Sequence, residues 1–579
     1  MKSDTGAQNE AWAKKLIGGL VEQGVDYFCC GPGSRSSSLA LAIASHPKAR
    51  YTVHFDERGL CFHALGYAKA TKKPAVVMVT SGTAIGNLMP AIMEANNERV
   101  SLIILSADRP PELRDCGANQ TCDQVKLFSN FVRFQIDLPC ADDRISDRYL
   151  ASTISHAVAM AMGNPAGPVH INCMFREPLF AAMPLFVSLE PCVHFEHPVL
   201  HPSDEVIAQW VEKLSKKRQG VIIVGSSALD LTEAVLPLAK QLQWPVFADI
   251  LSSCSKTLTI THSDLILKVQ PHLEADAIIQ FGDRFVSKTL NSWLEKQTPD
   301  FYLHVSSHPM RQDPSHLITH RVQCSPEIFT RKLLNTLPYF HETTWIQKWI
   351  DLDNSCKENL DAYFTANDSL TEPALLREIA SFLNKEWSLF LGNSMPIRDA
   401  NQFFLPKNGC HAIFGNRGVS GIDGNIAIIA GLVEGTDKPL IALIGDLTFL
   451  HDLNSLAMLH KLKHPVIVCV VNNGGGGIFS FLPIAKKKEA FEEFFAAAHQ
   501  LSFSAAAELF GLPYFYPTTL DELKSVFSKQ KYAPHACIIE ITTDRSENYR
   551  VHEQITTNIA TCLHLKTTHS PVEIQTTLH

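Results

Sequence analysis

Short apolar runs rich in β-branched residues recur along this chain, each closed by turn residues and followed by a helical pattern. That alternation dictates parallel sheets joined by crossover helices. The first block, to about residue 188, reads AWAKKLIGGLVEQG, VDYFCC, SSLALAIASH, YTVHF, LCFHALGYAKATKK, PAVVMVTSG and VSLIILSAD, with GPVHIN from Gly167 to Asn172 as its closing strand. From Pro178 to Pro202 periodicity is lost and prolines gather, as in a linker. A second block, 203–340, carries GVIIVGSS, WPVFADI, DAIIQFGD and FYLHVSS. A third, 342–579 with its start near Glu342, carries WSLFLGN, GCHAIFGN, PLIALI, PVIVCVV and ACIIEITTD. The expected fold is α/β with three doubly wound parallel-sheet domains, which 579 residues can accommodate.

The third block also carries chemistry. PLIALI stops at Gly445 and Asp446, and PVIVCVV stops at Asn472, Asn473, Gly474 and Gly475, with the helical pattern LTFLHDLNSLAMLHKLK between them. Asp446 and Asn473 thus fall at the carboxyl ends of two strands, where open α/β sheets bind ligands. A carboxylate, an amide oxygen and a backbone carbonyl such as that of Gly475 are hard donors that suit Mg²⁺ shared with phosphate oxygens. The helix after Asp446 turns its free N–H groups toward the same phosphates. A second helix, expected from Asp423 to Leu432 and opening with GIDG, adds another such end. The plainer reading of these residues is a strand-end turn rich in Gly and Asn.

Composition narrows the function classes. Lys and Arg number 51 against 59 Asp and Glu, a net charge of -8 that leaves no electrostatic footprint for nucleic acid. No stretch of about twenty apolar residues could span a bilayer, and the opening MKSDTGAQNEAWAKK lacks a signal-peptide core, so a cytoplasmic protein is expected. Fifteen cysteines without a C-x-x-C pair point to reduced thiols rather than zinc or disulfides, and Cys29-Cys30 reads as core. His54 and His63 form no H-E-x-x-H arrangement and read as ordinary. Gly220 and Gly225 around VIIV lack the spacing and acidic partner of a dinucleotide motif, and read as a strand-to-helix turn. The Thr- and His-rich stretch from about Thr567 has no assigned role.

Arginines mark strand exits in four places. GPGSRSSSL presents Ser34 and Arg35, ADRPPELRDCGANQT presents Arg109, Asn119 and Gln120, GNSMPIRDA presents Ser394 and Arg398, and FGNRGVSGIDGN presents Arg417. One such arginine could be a surface ion pair. Four in strand-end motifs suit the capture of several carboxylates, because a guanidinium binds a carboxylate in a two-pronged fork.

GDLTFLHDLNSL through VVNNGGGGIF resembles the thiamine diphosphate motif, with Leu447 where Gly is frequent. The three-block plan is similar to that of thiamine diphosphate decarboxylases and carboligases. GPGSRS, HFDERG, TSGTA, ADRPPEL, CGANQT, GNSMPIRD, NRGVSGIDG and NNGGGGIFSFLP resemble, in order along almost the whole chain, the motifs of the 2-succinyl-5-enolpyruvyl-6-hydroxy-3-cyclohexene-1-carboxylate synthases of menaquinone biosynthesis. Two departures stand out. Lys288-Thr289 replaces a Lys-Arg pair, leaving the charge to Lys288, and Gly474 stands where Asp is common.

The resemblance implies an enzyme that decarboxylates 2-oxoglutarate and adds the succinyl unit to isochorismate. It implies thiamine diphosphate with Mg²⁺ or Mn²⁺, the metal held by Asp446, Asn473 and Gly475, and the cofactor lined by Gly445, Leu447, Thr448, Ile478 and Phe479, with Leu482 beside them. Glu57 in HFDERG would be the carboxyl that bonds N1′ of the aminopyrimidine, although Asp56 and Arg58 beside it also fit a surface charge cluster. Ile422 would wedge the two cofactor rings, or else pack in the core. Arg35 and Arg109, with Asn119, Gln120 and Lys288, would hold isochorismate, and Arg398 and Arg417 the distal carboxylate of the 2-oxoglutarate-derived unit. Ser34 and Ser394 would also bind substrate, and Arg35, Arg109, Ser394, Arg398 and Arg417 would act in catalysis with Glu57. Residues 1–188 would bind the aminopyrimidine and 342–579 the diphosphate, on two subunits of a homodimer or homotetramer. An acetohydroxyacid synthase-like enzyme, or a cofactor-binding protein without turnover, is the alternative.

Overall fold

Three parallel sheets carry the chain. The computed structural model describes residues 4–181, 193–227, 229–252, 254, 259–341, 344–405 and 408–567; part of the linker segment, Glu342 and the tail after Thr567 lie outside them. The first sheet holds β1 (Tyr27–Cys30), β2 (Arg50–Val53), β3 (Ala75–Val79), β4 (Leu102–Asp108), β5 (Phe134–Leu138) and β6 (Val169–Met174), in the order β2-β1-β3-β4-β6-β5. The second holds β7 (Gly220–Val224), β8 (Val246–Ala248), β9 (Ala277–Phe281), β10 (Tyr302–Ser306) and β11 (His320–Gln323), in the order β11-β10-β9-β7-β8. The third holds β12 (Ser388–Leu391), β13 (Ile413–Gly415), β14 (Leu440–Gly445), β15 (Val466–Asn472), β16 (Tyr514–Phe515) and β17 (Cys537–Thr542), in the order β13-β12-β14-β15-β17-β16.

Counted along the chain, the first and third sheets share one order, 2-1-3-4-6-5. Both reverse direction between their first and third strands, and that reversal opens a crevice at the carboxyl ends. The central strands β3, β4, β14 and β15 are buried along nearly their whole length, which is why they read as unbroken Val, Ile and Leu runs.

The two sheets are locked through one helix pair. Helix Glu57–Thr71 follows β2 and helix Asn425–Thr436 follows β13, and their backbones meet where a Cβ on Gly66 would lie 2.3 Å from the Ile428 carbonyl oxygen. A Cβ on Gly431 would lie 2.0 Å from the His63 carbonyl oxygen, so any side chain at either position would force the helices apart. Apolar side chains of both sheets form one continuous core around this pair, from Tyr27 and Val77 to Ile444 and Ile538.

GPVHIN closes the first block along the chain as β6, which in space lies between β4 and the edge strand β5. Two expectations need correction. The helix expected from Asp423 runs Asn425–Thr436, because the Asn425 side chain donates to the Ile422 and Asp423 carbonyls and holds those residues as the preceding turn. LTFLHDLNSLAMLHKLK is not one helix. It forms Asp446–His451, a 3₁₀ turn Leu453–Ser455 and Leu456–Leu459, broken at Asp452, whose buried carboxylate accepts from the Ala427 N–H (2.9 Å) and the Ser455 hydroxyl (2.8 Å).

Candidate active site

The repeated sheet order puts the candidate residues at equivalent strand ends. In the first sheet Ser34 and Arg35 follow β1, Glu57 follows β2, Ser81 follows β3 and Arg109 follows β4. In the third, Ser394 and Arg398 follow β12, Arg417 follows β13, Asp446 follows β14 and Asn473 follows β15.

Asp446 is 2% exposed, its Oδ1 accepting from the Leu447 N–H (2.7 Å) and its Oδ2 from the Gly475 N–H (2.8 Å). Burial pushes its carboxyl up despite these donors, so a cation here would relieve an incompletely compensated charge. The Gly475 bond draws the loop after β15 onto Asp446. Gly475 sits at φ +138°, and a Cβ there would lie 2.3 Å from the Ala496 carbonyl oxygen. On the same loop, Asn473 Nδ2 donates to Glu372 Oε1 (3.0 Å), while its Oδ1 is buried without a partner among the described residues. A buried, unpaired amide oxygen beside a buried carboxylate is the donor set of a hard cation. Nothing lies within 4 Å of the position a Gly445 Cβ would take, which leaves room for a bulky anion at the start of helix Asp446–His451. Among the described residues no three His, Cys, Asp or Glu form a metal cage, so a cation would need amide, carbonyl and phosphate oxygens. The residues present fit a Mg²⁺-bridged diphosphate.

Two residues here escaped the sequence reading. His499 Nε2 stands 3.3 Å from Asp446 Oδ2 and is buried without a hydrogen bond among the described residues. Glu372, the first residue of helix Glu372–Phe382, is pushed up to about 7 by burial and by Asp399. Neither stands in a local motif.

Glu57 begins helix Glu57–Thr71 and is half-buried, with its Cγ 3.5 Å from where a Gly31 Cβ would lie. The charges around it are engaged elsewhere. Asp56 caps the helix and accepts from Asn454 Nδ2 (3.1 Å), and Arg58 donates to the His451 carbonyl (2.7 Å). Among the described residues the Glu57 carboxyl has no hydrogen bond or ion pair, and none joins it to Asp446 or Asn473.

The arginines fall into two pairs. Arg398 donates to the Ser394 carbonyl (2.6 Å) and Arg417 to Asn393 Oδ1 (2.8 Å), while burial and the Arg417 charge pull Arg398 down. Ser394 holds φ +72°, a strained conformation for a residue with a side chain. The Arg417 loop is gripped from the first domain: Glu94 accepts from the Gly418 and Val419 N–H groups (2.7 Å each), and Glu98 from that of Arg417 (2.6 Å). Ile422, half-buried, lies five residues further along this loop.

In the other pair, Arg109 bonds the Ser81 hydroxyl, and burial and Arg35 pull it down. Gln120 Nε2 donates to the Ser81 carbonyl (3.1 Å), so this loop joins them, with exposed Asn119 adjacent. Arg35 is 5% exposed and bonds the Phe175 carbonyl (3.0 Å) and Glu177 (2.7 Å), while its Nε is buried without a hydrogen bond among the described residues. Exposed Lys288 starts helix Lys288–Leu294 and contacts none of the other candidates by a hydrogen bond or ion pair. Arg284, four residues earlier, donates to the Gly418 carbonyl (2.5 Å) and brings the second domain to the Arg417 loop. Ile478 and Phe479 lie half-buried on the 3₁₀ turn Gly477–Phe481, with Phe479 edge-on to Phe495.

Three thiamine pyrophosphate enzyme profiles match the chain: the N-terminal binding domain over residues 12–127, the middle domain over 196–391 and the C-terminal binding domain over 393–541. The chain is 37% identical to a 2-succinyl-5-enolpyruvyl-6-hydroxy-3-cyclohexene-1-carboxylate synthase of Salinibacter ruber, covering 95% of this chain and 96% of that protein. It is 37% identical to the Rubrobacter xylanophilus protein of that name, over 96% and 99%. A benzoylformate decarboxylase from Polynucleobacter necessarius shares the fold at a TM-score of 0.73 and 16% identity, over 92% of this chain and 99% of that one. With all three profiles in order and full-length relatives well above a third identical, the chain belongs to the thiamine pyrophosphate enzymes and, within them, to the 2-succinyl-5-enolpyruvyl-6-hydroxy-3-cyclohexene-1-carboxylate synthase family.

Proposed function

We propose that this enzyme decarboxylates 2-oxoglutarate and adds the succinyl unit to isochorismate, giving 2-succinyl-5-enolpyruvyl-6-hydroxy-3-cyclohexene-1-carboxylate and carbon dioxide. The observation that carries the substrate assignment is the pair Arg398–Arg417. Each guanidinium donates to the protein through Nη1 and keeps further N–H donors for a carboxylate. Such a carboxylate would offset the Arg417 charge that acts on buried Arg398, while Arg417 itself is balanced by Asp249, Glu94 and Glu98. Small monocarboxylates such as pyruvate offer no second carboxylate for such a pair after decarboxylation.

Thiamine diphosphate, when bound, would supply an electron-accepting thiazolium that stores the electron pair left behind when carbon dioxide departs. Asp446, Asn473 and the Gly475 carbonyl hold Mg²⁺ or Mn²⁺, and Gly445, Leu447 and Thr448 border the diphosphate. Glu57 holds a proton at N1′ of the aminopyrimidine, a role its unengaged carboxyl allows. Ile422 supports the cofactor rings, and Ile478 and Phe479 keep water from the reacting carbon. Ser394, Arg398 and Arg417 bind the distal carboxylate of 2-oxoglutarate. Arg109, Ser34, Asn119, Gln120 and Lys288 bind isochorismate, with Arg35 joining them only by loosening its Glu177 pair.

In this reading residues 1–188 bind the aminopyrimidine, 342–579 the diphosphate, and 203–340 form the central domain. The site is completed by a second copy in a homodimer or homotetramer. Two facts support this. Among the described residues no bond brings the Glu57 carboxyl to the Asp446 loop, and the segment leading to Glu57 exposes Tyr51 (55%), Val53 (46%) and Phe55 (61%), apolar surface that an isologous interface would cover. All fourteen described cysteines are free thiols, as the cytoplasm would keep them, and among the described residues no helix is long and apolar enough to cross a membrane.

Asp446→Ala tests the cofactor site. Calorimetric titration of thiamine diphosphate with Mg²⁺ should show binding to the wild type and none to the variant. Equal affinities would overturn the assignment.

A further inference from the structure

We propose that Glu372 is the positioning residue that turns Asn473 into a metal ligand, an inference that rests on the cation reading of Asp446 and Asn473 given above. An asparagine amide presents an oxygen on one side and an NH₂ on the other, and only the oxygen can bind a cation. Its usefulness as a ligand therefore depends on what fixes its rotation.

The fixing group is buried and comes from another element. Glu372 is 4% exposed at the start of helix Glu372–Phe382, remote in sequence from the loop it meets. Its Oε1 accepts from Asn473 Nδ2 (3.0 Å) and from the Thr543 hydroxyl (3.0 Å), while the Thr543 N–H donates to the Asn472 carbonyl (3.1 Å). One carboxyl oxygen thus gathers the residues just past β15 and β17. With Nδ2 committed to Glu372, Asn473 Oδ1 must point the other way, and it is the atom left buried and unpartnered. Were the amide reversed, two oxygens would face each other across the 3.0 Å gap and the NH₂ would face the cation. Outer partners of this kind orient metal ligands, and their loss typically lowers metal affinity by about 10- to 100-fold.

The test is a Mn²⁺ titration read by electron paramagnetic resonance, with saturating thiamine diphosphate and the full-length enzyme, which needs no turnover. Glu372→Ala should weaken Mn²⁺ by about 10- to 100-fold. Glu372→Gln, which keeps an acceptor oxygen for Asn473 Nδ2, should stay close to wild type, and so should Thr543→Val, which leaves the Glu372–Asn473 bond in place. Asn473→Ala serves as the reference loss. If Asn473→Ala weakens Mn²⁺ but Glu372→Ala does not, the positioning role is overturned while the metal site stands. If Asn473→Ala itself leaves affinity unchanged, the metal site falls, and this inference with it. Should Glu372→Ala fail to fold, a crystal structure of the wild type with Mn²⁺ and thiamine diphosphate decides: an anomalous manganese peak at bonding distance from Asn473 Oδ1 with Nδ2 still on Glu372 supports the role, and an amide turned away from Glu372 overturns it.

Discussion

Replacing Arg398 by Ala should cripple the first half-reaction and spare the fold. Among the described residues Arg398 makes one side-chain bond, to the Ser394 carbonyl, and burial with the charge of Arg417 already disfavours its protonated form. Removing it relieves a like-charge pair, so the melting temperature of the free enzyme should not fall through lost electrostatics. With substrate bound, the loss is one charge-assisted contact to a carboxylate, about 1.5–3 kcal/mol. At about 1.36 kcal/mol per decade, this is roughly ten- to a hundred-and-fifty-fold in kcat/KM for 2-oxoglutarate. Arg398→Lys should fall between, because an ammonium keeps the charge and loses the fork. Stopped-flow detection of carbon dioxide released from 2-oxoglutarate, without isochorismate, isolates the step. Arg109→Ala should leave that trace almost unchanged and raise KM for isochorismate. If both variants slow the first release equally, the assignment of one substrate to each guanidinium pair is wrong.

Glu57→Gln should bind thiamine diphosphate normally yet slow exchange of its C2 proton in D₂O by about 10²- to 10⁴-fold, and wild-type exchange would move the role to another carboxyl. Stability should carry the signature of His63, which burial holds down to about 3 against an unfolded value of about 6.5. Because the folded value is depressed, the neutral ring's contribution is complete above about pH 6.5 and is lost as pH falls. From pH 7 to 5 the stability of wild type relative to His63→Gln should therefore drop by about 2 kcal/mol. Taking the difference between two proteins in urea cancels the opposite drift of Glu94 and Asp452, whose raised carboxyls add stability on acidification. A difference that stays flat over this range would contradict the linkage.

Legibility in the sequence followed burial except at the exposed edge strand β2, whose β-branched and aromatic YTVHF stood out. Central strands such as β14 and β15 are covered on both faces, so their residues had to be apolar and β-branched, and both stood out. The three strands that went unread, β5, β11 and β16, are edge strands with half-exposed patterns: polar residues break the apolar run in FQIDL and HRVQ, and YF is only two residues long. The Asp452 break was illegible because its cause, capping of helix Asn425–Thr436, is tertiary. The site divided in the same way. Asp446, Asn473 and the arginines sit in strand-end motifs whose spacing is local. Glu372, Glu94 and Glu98 act across 101, 324 and 319 residues of sequence, respectively, and periodicity reaches nothing so distant. The shared 2-1-3-4-6-5 order, which puts Glu57 and Arg417 at equivalent strand ends, was hidden because two of the unread strands, β5 and β16, complete it.

The central claim is a coupling of two polyanionic substrates, and product analysis meets it directly. Purified enzyme with Mg²⁺, thiamine diphosphate, 2-oxoglutarate and isochorismate should release one carbon dioxide for each tricarboxylate adduct detected by mass spectrometry, and omission of any one component should abolish the adduct. Carbon dioxide release with no adduct, or a pyruvate-derived acetohydroxy acid formed in preference, would contradict the account.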